Sequence, residues 1–242
     1  FMDDNPLLRA MTYPYHIPSQ SFIFFDGRPL SIGPEDALPD LSGRMPVLAV
    51  GSNQSPRQLA RKFPSADWGP IPVFRVRLCD FDSVYSPHIA SYGAIAATLQ
   101  VSSGVEVTLF ITWLDARQLV RMHETELSGA NYRFGKLNTI NLEVEVGPPL
   151  EAVYMYASTR GTLCDCKGPI PVAEIGARGR ARLGLNQVGI QRYVRDLLAP
   201  EIGLEAFIAG SIDDPDLRRS RSDQLKVNAQ SFTPSPLTTV GI

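Results

Sequence analysis

The sequence predicts an α+β protein: a mixed, largely antiparallel, β-barrel-like sheet with a few helices on its flanks. Three observations carry that reading. Several segments alternate apolar and polar residues, few segments of helical period lie between them, and the intervening turns are of hairpin length. A chain of 242 residues, 44% hydrophobic and 20% charged, is long enough for one sizeable core. We divide it into an N-terminal extended arm (1–44), a central domain (45–200) and a C-terminal extension (201–242).

Residues 1–44 are rich in proline and aromatics and read as extended, except that Phe22 to Phe25 with Asp26-Gly27 suit a strand and turn. Val47-Leu48-Ala49-Val50 is an apolar run fit for a buried strand, and it leads straight into Gly51-Ser52-Asn53. Gly51 is expected to take a backbone angle that a side chain would resist. Ser55 as N-cap and Pro56 at the first helical position open a helix over 56–63, which Pro64 ends. Phe74, Val76 and Leu78 alternate with Arg75 and Arg77, the period of a half-buried strand. Ala94 to Val101 and Val105 to Thr112 are expected as two strands around a Ser102-Ser103-Gly104 hairpin turn. Asp115 caps a helix that runs to Glu126. Ile140, Leu142, Val144 and Val146 alternate, and Ala152 to Ala157 is a further strand. A later helix starts near Asn186 and carries Ile190, Val194, Leu197 and Leu198 on one face. From about Arg218 the chain reads as a polar tail.

Composition narrows the function. A net charge of −2 makes no general electrostatic case for nucleic acid. No apolar run approaches the length that crosses a bilayer, and the N-terminus lacks a signal-peptide layout. Three cysteines do not make a disulfide framework. These features fit a cytoplasmic enzyme or binding protein acting on a small molecule, without nucleic acid or membrane. A homodimer is left open.

The 47–53 stretch is the first candidate site. A strand entering a glycine turn and then a helix gathers N–H groups and the positive end of a helix dipole at one point, where a carboxylate or developing oxyanion can bind. The second is Glu126. On the helix before it, Leu119, Met122 and Glu126 share a face, so the carboxylate is expected to lose hydration and its pKa to rise. Glu124 falls with Val120, Arg121 and Arg117 and reads as a solvated ion-pairing residue.

Ala49-x-Gly51-Ser52-Asn53 resembles the alanine-tyrosine-glycine-serine-asparagine signature of the gamma-glutamylcyclotransferase-like family. Arg77-Leu78-Cys79-Asp80-Phe81 resembles that family's arginine-leucine-x-aspartate-phenylalanine strand, and Gly93-Ala94-Ile95-Ala96-Ala97 its glycine-glycine-isoleucine-alanine-threonine strand. Glu124-Thr125-Glu126 with Tyr132 follows its glutamate-x-glutamate and tyrosine order, and Val153-Tyr154 its late strand. Ile175-Gly176-Ala177, Leu183-Gly184-Leu185 and Tyr193 resemble its closing turn and helix. The resemblance runs in order over roughly 46–198.

This resemblance implies release of 5-oxoproline from a gamma-glutamyl amine or peptide, with Glu126 as the catalytic general acid/base. It implies that Val47, Leu48, Ala49, Val50, Gly51, Ser52, Asn53 and Tyr132 hold the gamma-glutamyl group, with no metal and no cofactor. Three positions depart from the pattern. Val50 replaces a tyrosine, Ala94 a glycine, and Leu109 a glycine after the hairpin; each changes volume near the presumed cavity. A non-catalytic small-ligand-binding or assembly protein on the same fold is therefore the alternative.

Other constellations are weaker. Ser52 lacks the second glycine of a nucleophile elbow, with only His16, His88 and His123 to serve as base. Cys164-x-Cys166 has no second pair. Asp80, Asp82 and His88 read as strand-end acids and a loop histidine, His123 as a partly buried structural residue, and Arg178, Arg180 and Arg182 as a solvated loop.

Overall fold

The computed structural model describes residues 5–232 and 237–240. Its helices are α1 (Pro6–Met11), α2 (Pro56–Lys62), α3 (Ala116–Glu126), α4 (Gln187–Leu198), α5 (Leu204–Asp213) and α6 (Pro215–Lys226). Their starts follow local chemistry. Asn5 accepts the N–H groups of Leu7 and Leu8, and Asp115 and Gln118 form a reciprocal capping box. Asn186 accepts from Gly189, and Asp214 from Asp216 and Leu217, while prolines stand at the first positions of α1, α2 and α6. Ser55 caps α2 by backbone position alone; its hydroxyl, which is buried, makes no capping bond.

The strands are β1 (Phe22–Phe25), β2 (Arg28–Ser31), β3 (Met45–Ala49), β4 (Ile71–Ile89), β5 (Ile95–Leu114), β6 (Tyr132–Asn138), β7 (Leu142–Val144) and β8 (Ala152–Ser158), with short β9 (Cys164–Asp165), β10 (Gly168–Pro169), β11 (Ala177–Arg178) and β12 (Leu237–Thr239). The main sheet runs β12-β6-β8-β3-β5-β4-β1-β2, with β11 on β5 and β7 on β4. Its pairings are antiparallel except β3 against β8. The α+β class and the largely antiparallel sheet are as the sequence predicts. The sheet is open: β12 and β2 stand at its two ends and do not pair with each other among the described residues.

Strand alternation sends neighbouring side chains into two cores. Leu48, Phe74, Leu109 and Ile111 join one cluster with Ile190, Val194, Phe207 and Leu225 from α4, α5 and α6. Val47, Val73, Phe110 and Leu114 join the other, under Leu59 and Phe63 of the α2 segment and Met122 of α3. Leu197, expected on the core face of α4, is 53% exposed; Gln187 and Gln191 take the inner positions and donate to the Ile95 and Gly93 carbonyls.

Three expectations need correction. Ser102-Ser103-Gly104 does not turn the chain back, because β5 continues through it. Cys79 pairs with Glu106 but Phe81 with Val101, so residues 102–105 bulge against Asp80 alone. Asp80 and Gly104 both adopt positive φ there, and the Gly104 N–H donates to Asp80 Oδ1 at 2.8 Å. The extra residues are absorbed as a bend in a long two-stranded ribbon.

Residues 5–44 are not simply extended. They form α1, which packs on α4 and α5, while the strand and turn expected at 22–27 are present as β1 and Asp26-Gly27, leading into β2 and pairing with β4. The polar run from Arg218 is likewise no tail among the described residues. It belongs to α6, which packs on β4 and α5. Its arginines satisfy carbonyls of α5: Arg221 donates to Phe207 O at 2.8 Å and Arg218 to Ser211 O at 2.8 Å.

Candidate active site

A cavity of about 470 Å³ opens where β3 ends, walled by α1, α2, α3, α6 and the facing ends of β4 and β5. That is the size range of small-molecule sites. Of the predicted binding residues, Leu48, Val50, Gly51, Ser52, Asn53 and Tyr132 line it, as does Glu126. Val47 and Ala49 do not, because on a strand they face away from Leu48 and Val50. Among the three departures from the family pattern, Val50 alone lines the cavity; Ala94 and Leu109 are fully buried in the core.

Glu126 sits on the last turn of α3, where the Leu119–Met122–Glu126 face meets α2. Its Oε1 accepts Nδ2 of Asn53 at 3.0 Å and Nζ of Lys62 in a close ion pair. The side chains of Lys62 and Glu126 are 5% and 17% exposed, so the ammonium is buried and the carboxylate partly buried at the cavity wall. Lys62 also points at Met122 Sδ, 3.2 Å away. The expected rise in the Glu126 pKa is therefore corrected. Burial alone would raise it, but the Lys62 charge and the hydrogen bonds from Lys62 and Asn53 outweigh that and hold it below its ordinary 4.5. Glu126 is a carboxylate at neutral pH. Glu124, by contrast, pairs with Arg121 on the solvent side at 3.0 Å, as read from helical spacing.

Lys62 joins this site without any sequence motif to mark it. A lysine in the last turn of a short helix ordinarily points to water. The available signal was its position three residues after Leu59, which puts it on the buried face. Tyr13 lines the cavity as well, again outside any motif. Its hydroxyl accepts the Ala97 N–H at 2.8 Å, while Tyr132 donates to the Ala97 carbonyl at 3.2 Å. Burial holds both phenols well above their usual pKa, so both stay neutral. His88 packs edge-on against Tyr132, and its Nδ1 is buried without a hydrogen-bond partner. Burial and then the Arg160 charge push its pKa down to about 4, so it is neutral at pH 7.

Gly51 matters for space rather than for a left-handed angle, since its φ is −142°. A Cβ there would lie 2.2 Å from Tyr13 Oη and 3.2 Å from the Ala97 Cβ. Gly51→Ala should therefore expel the Tyr13 hydroxyl and cost about 1–3 kcal/mol, the usual range for overpacking. Adding Tyr13→Phe removes the clashing oxygen and should recover part of that loss. Urea denaturation of the two variants checks this; a double variant less stable than the single one would refute it.

The remaining candidates resolve into structure. Arg180 holds the buried Asp82 through two bonds of 2.8 and 2.6 Å, and Arg182 holds Asp165, so two of the three arginines are not a solvated loop. Arg178 is exposed. His123 Nδ1 is 2.8 Å from the Tyr156 hydroxyl. The cysteines are free thiols. Among the described residues no group of three or more His, Cys, Asp or Glu is placed to hold a metal, and no helix is long and apolar enough to cross a membrane.

No family model matches the chain. No curated protein matches it either. Among solved structures it is similar to one described as a gamma-glutamyl cyclotransferase, at 15% identity over 79% of this chain and 92% of that one, with a TM-score of 0.37. It is similar also to a human protein described as uncharacterized, at 14% identity over 83% and 94% of the two chains, again with a TM-score of 0.37.

Proposed function

We propose that this protein is a gamma-glutamyl cyclotransferase-type enzyme, releasing 5-oxoproline from a gamma-glutamyl amine or peptide. The observation that carries the reading is one partly buried carboxylate, Glu126, hydrogen-bonded to Asn53 of the glycine-serine-asparagine loop at the wall of an open cavity. The order of sequence motifs over 46–198 supports it independently.

The reaction joins the substrate's α-nitrogen to its γ-carbonyl carbon and breaks that carbon's bond to the departing amine. Both partners belong to one molecule, so much of the acceleration comes from holding it curled in the attacking pose. Leu48, Val50 and Tyr132 supply the walls for that pose. Glu126, anionic at neutral pH, takes a proton from the α-ammonium and returns it to the leaving nitrogen. Lys62 keeps the carboxylate in place and offers a positive charge beside the developing oxyanion. N–H groups at Ser52 and Asn53, which open a short helical turn and have no acceptor within it, face the same role.

One observation favours the alternative of a small-ligand-binding protein without turnover: Glu126 is engaged by Lys62 rather than poised with a raised pKa. Mass spectrometry for 5-oxoproline, over a panel of gamma-glutamyl amines and peptides, separates the two. Product from at least one member is expected. Binding of panel members without product from any of them would replace the enzyme by the binding protein.

A further inference from the structure

The charge around the cavity is lopsided. Arg9, Arg61, Lys62 and Arg218 line it, and Glu126 is the one acidic residue in the lining among the described residues. Lys62 already satisfies Glu126, which leaves three guanidiniums in the wall without a carboxylate there. Arg218 is partly occupied, donating to the Ser211 and Ile212 carbonyls.

Among the described residues, neither Arg9 nor Arg61 pairs with a carboxylate. Arg9 lies 4.6 Å over the Tyr92 ring, and its Nε is buried with no hydrogen-bond partner among those residues. Arg61 lies 4.7 Å over the Tyr15 ring and reaches Gln58 Oε1 only at 3.5 Å. Tyr15 itself takes φ +71°, an uncommon backbone for a bulky residue, and so presents its ring to α2. Burial first, then the nearby charges of Arg9 and Arg57, lower the Arg61 pKa against the opposing pull of Tyr15. Aromatic faces fix a guanidinium's position while leaving its N–H fork available for an anion. Two like charges held together beside a cavity, facing no carboxylate in its wall, are an arrangement that a bound anion would relieve.

A gamma-glutamyl group cannot supply that anion alone, since its carboxylate is balanced by its own ammonium. We propose that Arg9 and Arg61 form a second anion subsite, which takes a carboxylate or phosphate on the departing portion of the ligand. This rests on the gamma-glutamyl reading for which end of the ligand is bound, but not for the presence of an anion site. Selectivity then comes from α1 and α2, with Arg9 contributed by the N-terminal segment that lies outside the family resemblance.

Two measurements test it separately. The first is calorimetric titration of citrate into wild type, Arg9→Gln, Arg61→Gln and Arg61→Lys, with folding of each checked by its thermal transition. Wild type should bind, each Gln variant should weaken binding at least ~10-fold, and Arg61→Lys should retain part of it, given the usual strength of charge-assisted hydrogen bonds. The second compares kcat/KM for gamma-glutamylglycine, gamma-glutamyl-phosphoethanolamine and gamma-glutamylmethylamide. Wild type should favour an anionic substrate over the neutral one, the two anionic probes telling carboxylate from phosphate, and both Gln variants should lose the preference. Citrate binding that depends on both arginines, with turnover of none of the three, would uphold the anion site and sink the gamma-glutamyl reading. Citrate binding absent from wild type or unchanged in both Gln variants would overturn the anion site. Turnover without any preference for charge would overturn its role toward the departing group.

Discussion

Glu126→Gln is expected to lose at least ~10²-fold in 5-oxoproline formation, the scale of a missing general acid–base group. The amide keeps the shape and can still accept from Lys62 and Asn53 through its oxygen, so the cavity should survive. What disappears is the ability to carry a proton from the α-ammonium to the leaving nitrogen. The same change strips a buried ammonium of its counter-ion, which costs stability and confuses a simple reading of lost activity. The double variant Glu126→Gln/Lys62→Gln separates the two effects, because a neutral pair of amides carries no unpaired charge. It should regain stability in urea denaturation while remaining inactive. Turnover near the wild-type rate in either variant would remove Glu126 from the mechanism.

Lys62→Met should have the largest effect on the fold. It leaves the Glu126 carboxylate in a buried site with Asn53 as its remaining donor among the bonds described above. Breaking a buried pair from one side costs about 3–5 kcal/mol at neutral pH. The pH dependence has a defined sign. In wild type the Glu126 pKa lies below its ordinary 4.5, so the stabilisation is fully present above that value and is lost as pH falls through the folded-state pKa. With the ammonium gone, burial dominates and the folded-state pKa rises above the unfolded one. The penalty is then present at pH 7 and fades on acidification, as the carboxyl takes up a proton and stops needing a partner. The gap in Tm between wild type and Lys62→Met should accordingly narrow between pH 7 and pH 4. The acid limb of any 5-oxoproline activity should move upward in pH. A gap that stays constant across that range would mean Lys62 acts through packing rather than through charge.

The chemistry that was legible in the sequence is the chemistry written within one element. The run from Val47 to Asn53, the Asp115 cap and the shared face of Met122 and Glu126 all follow from residues a few positions apart. What was illegible depends on where elements meet. Nothing within Pro56–Lys62 says that its last lysine will face the end of α3, so helical spacing alone predicts the wrong direction for the Glu126 pKa. The strand Tyr132–Asn138 escaped because Arg133, Gly135 and Lys136 hide the inward Phe134 and Leu137. Ser102-Ser103-Gly104 has the residues of a hairpin turn, and only the opposing Asp80 turns it into a bulge. The polar face of α6 concealed a helix because Arg221 and Ser222 take buried positions beside Leu225, and its arginines bond to carbonyls of α5. The same separation explains the cavity: Arg9, Tyr13 and Arg218 come from segments with no local mark of a site.

As the chain leaves the ribosome, the loop at Gly51 and the carboxylate of Glu126 emerge well before α6, yet Arg218 closes part of the same cavity wall. Synthesis proceeds at about 5–20 residues per second, so several seconds separate the making of Glu126 from that of the α6 wall. A ligand cannot template the complete pocket until the last helix has been delivered.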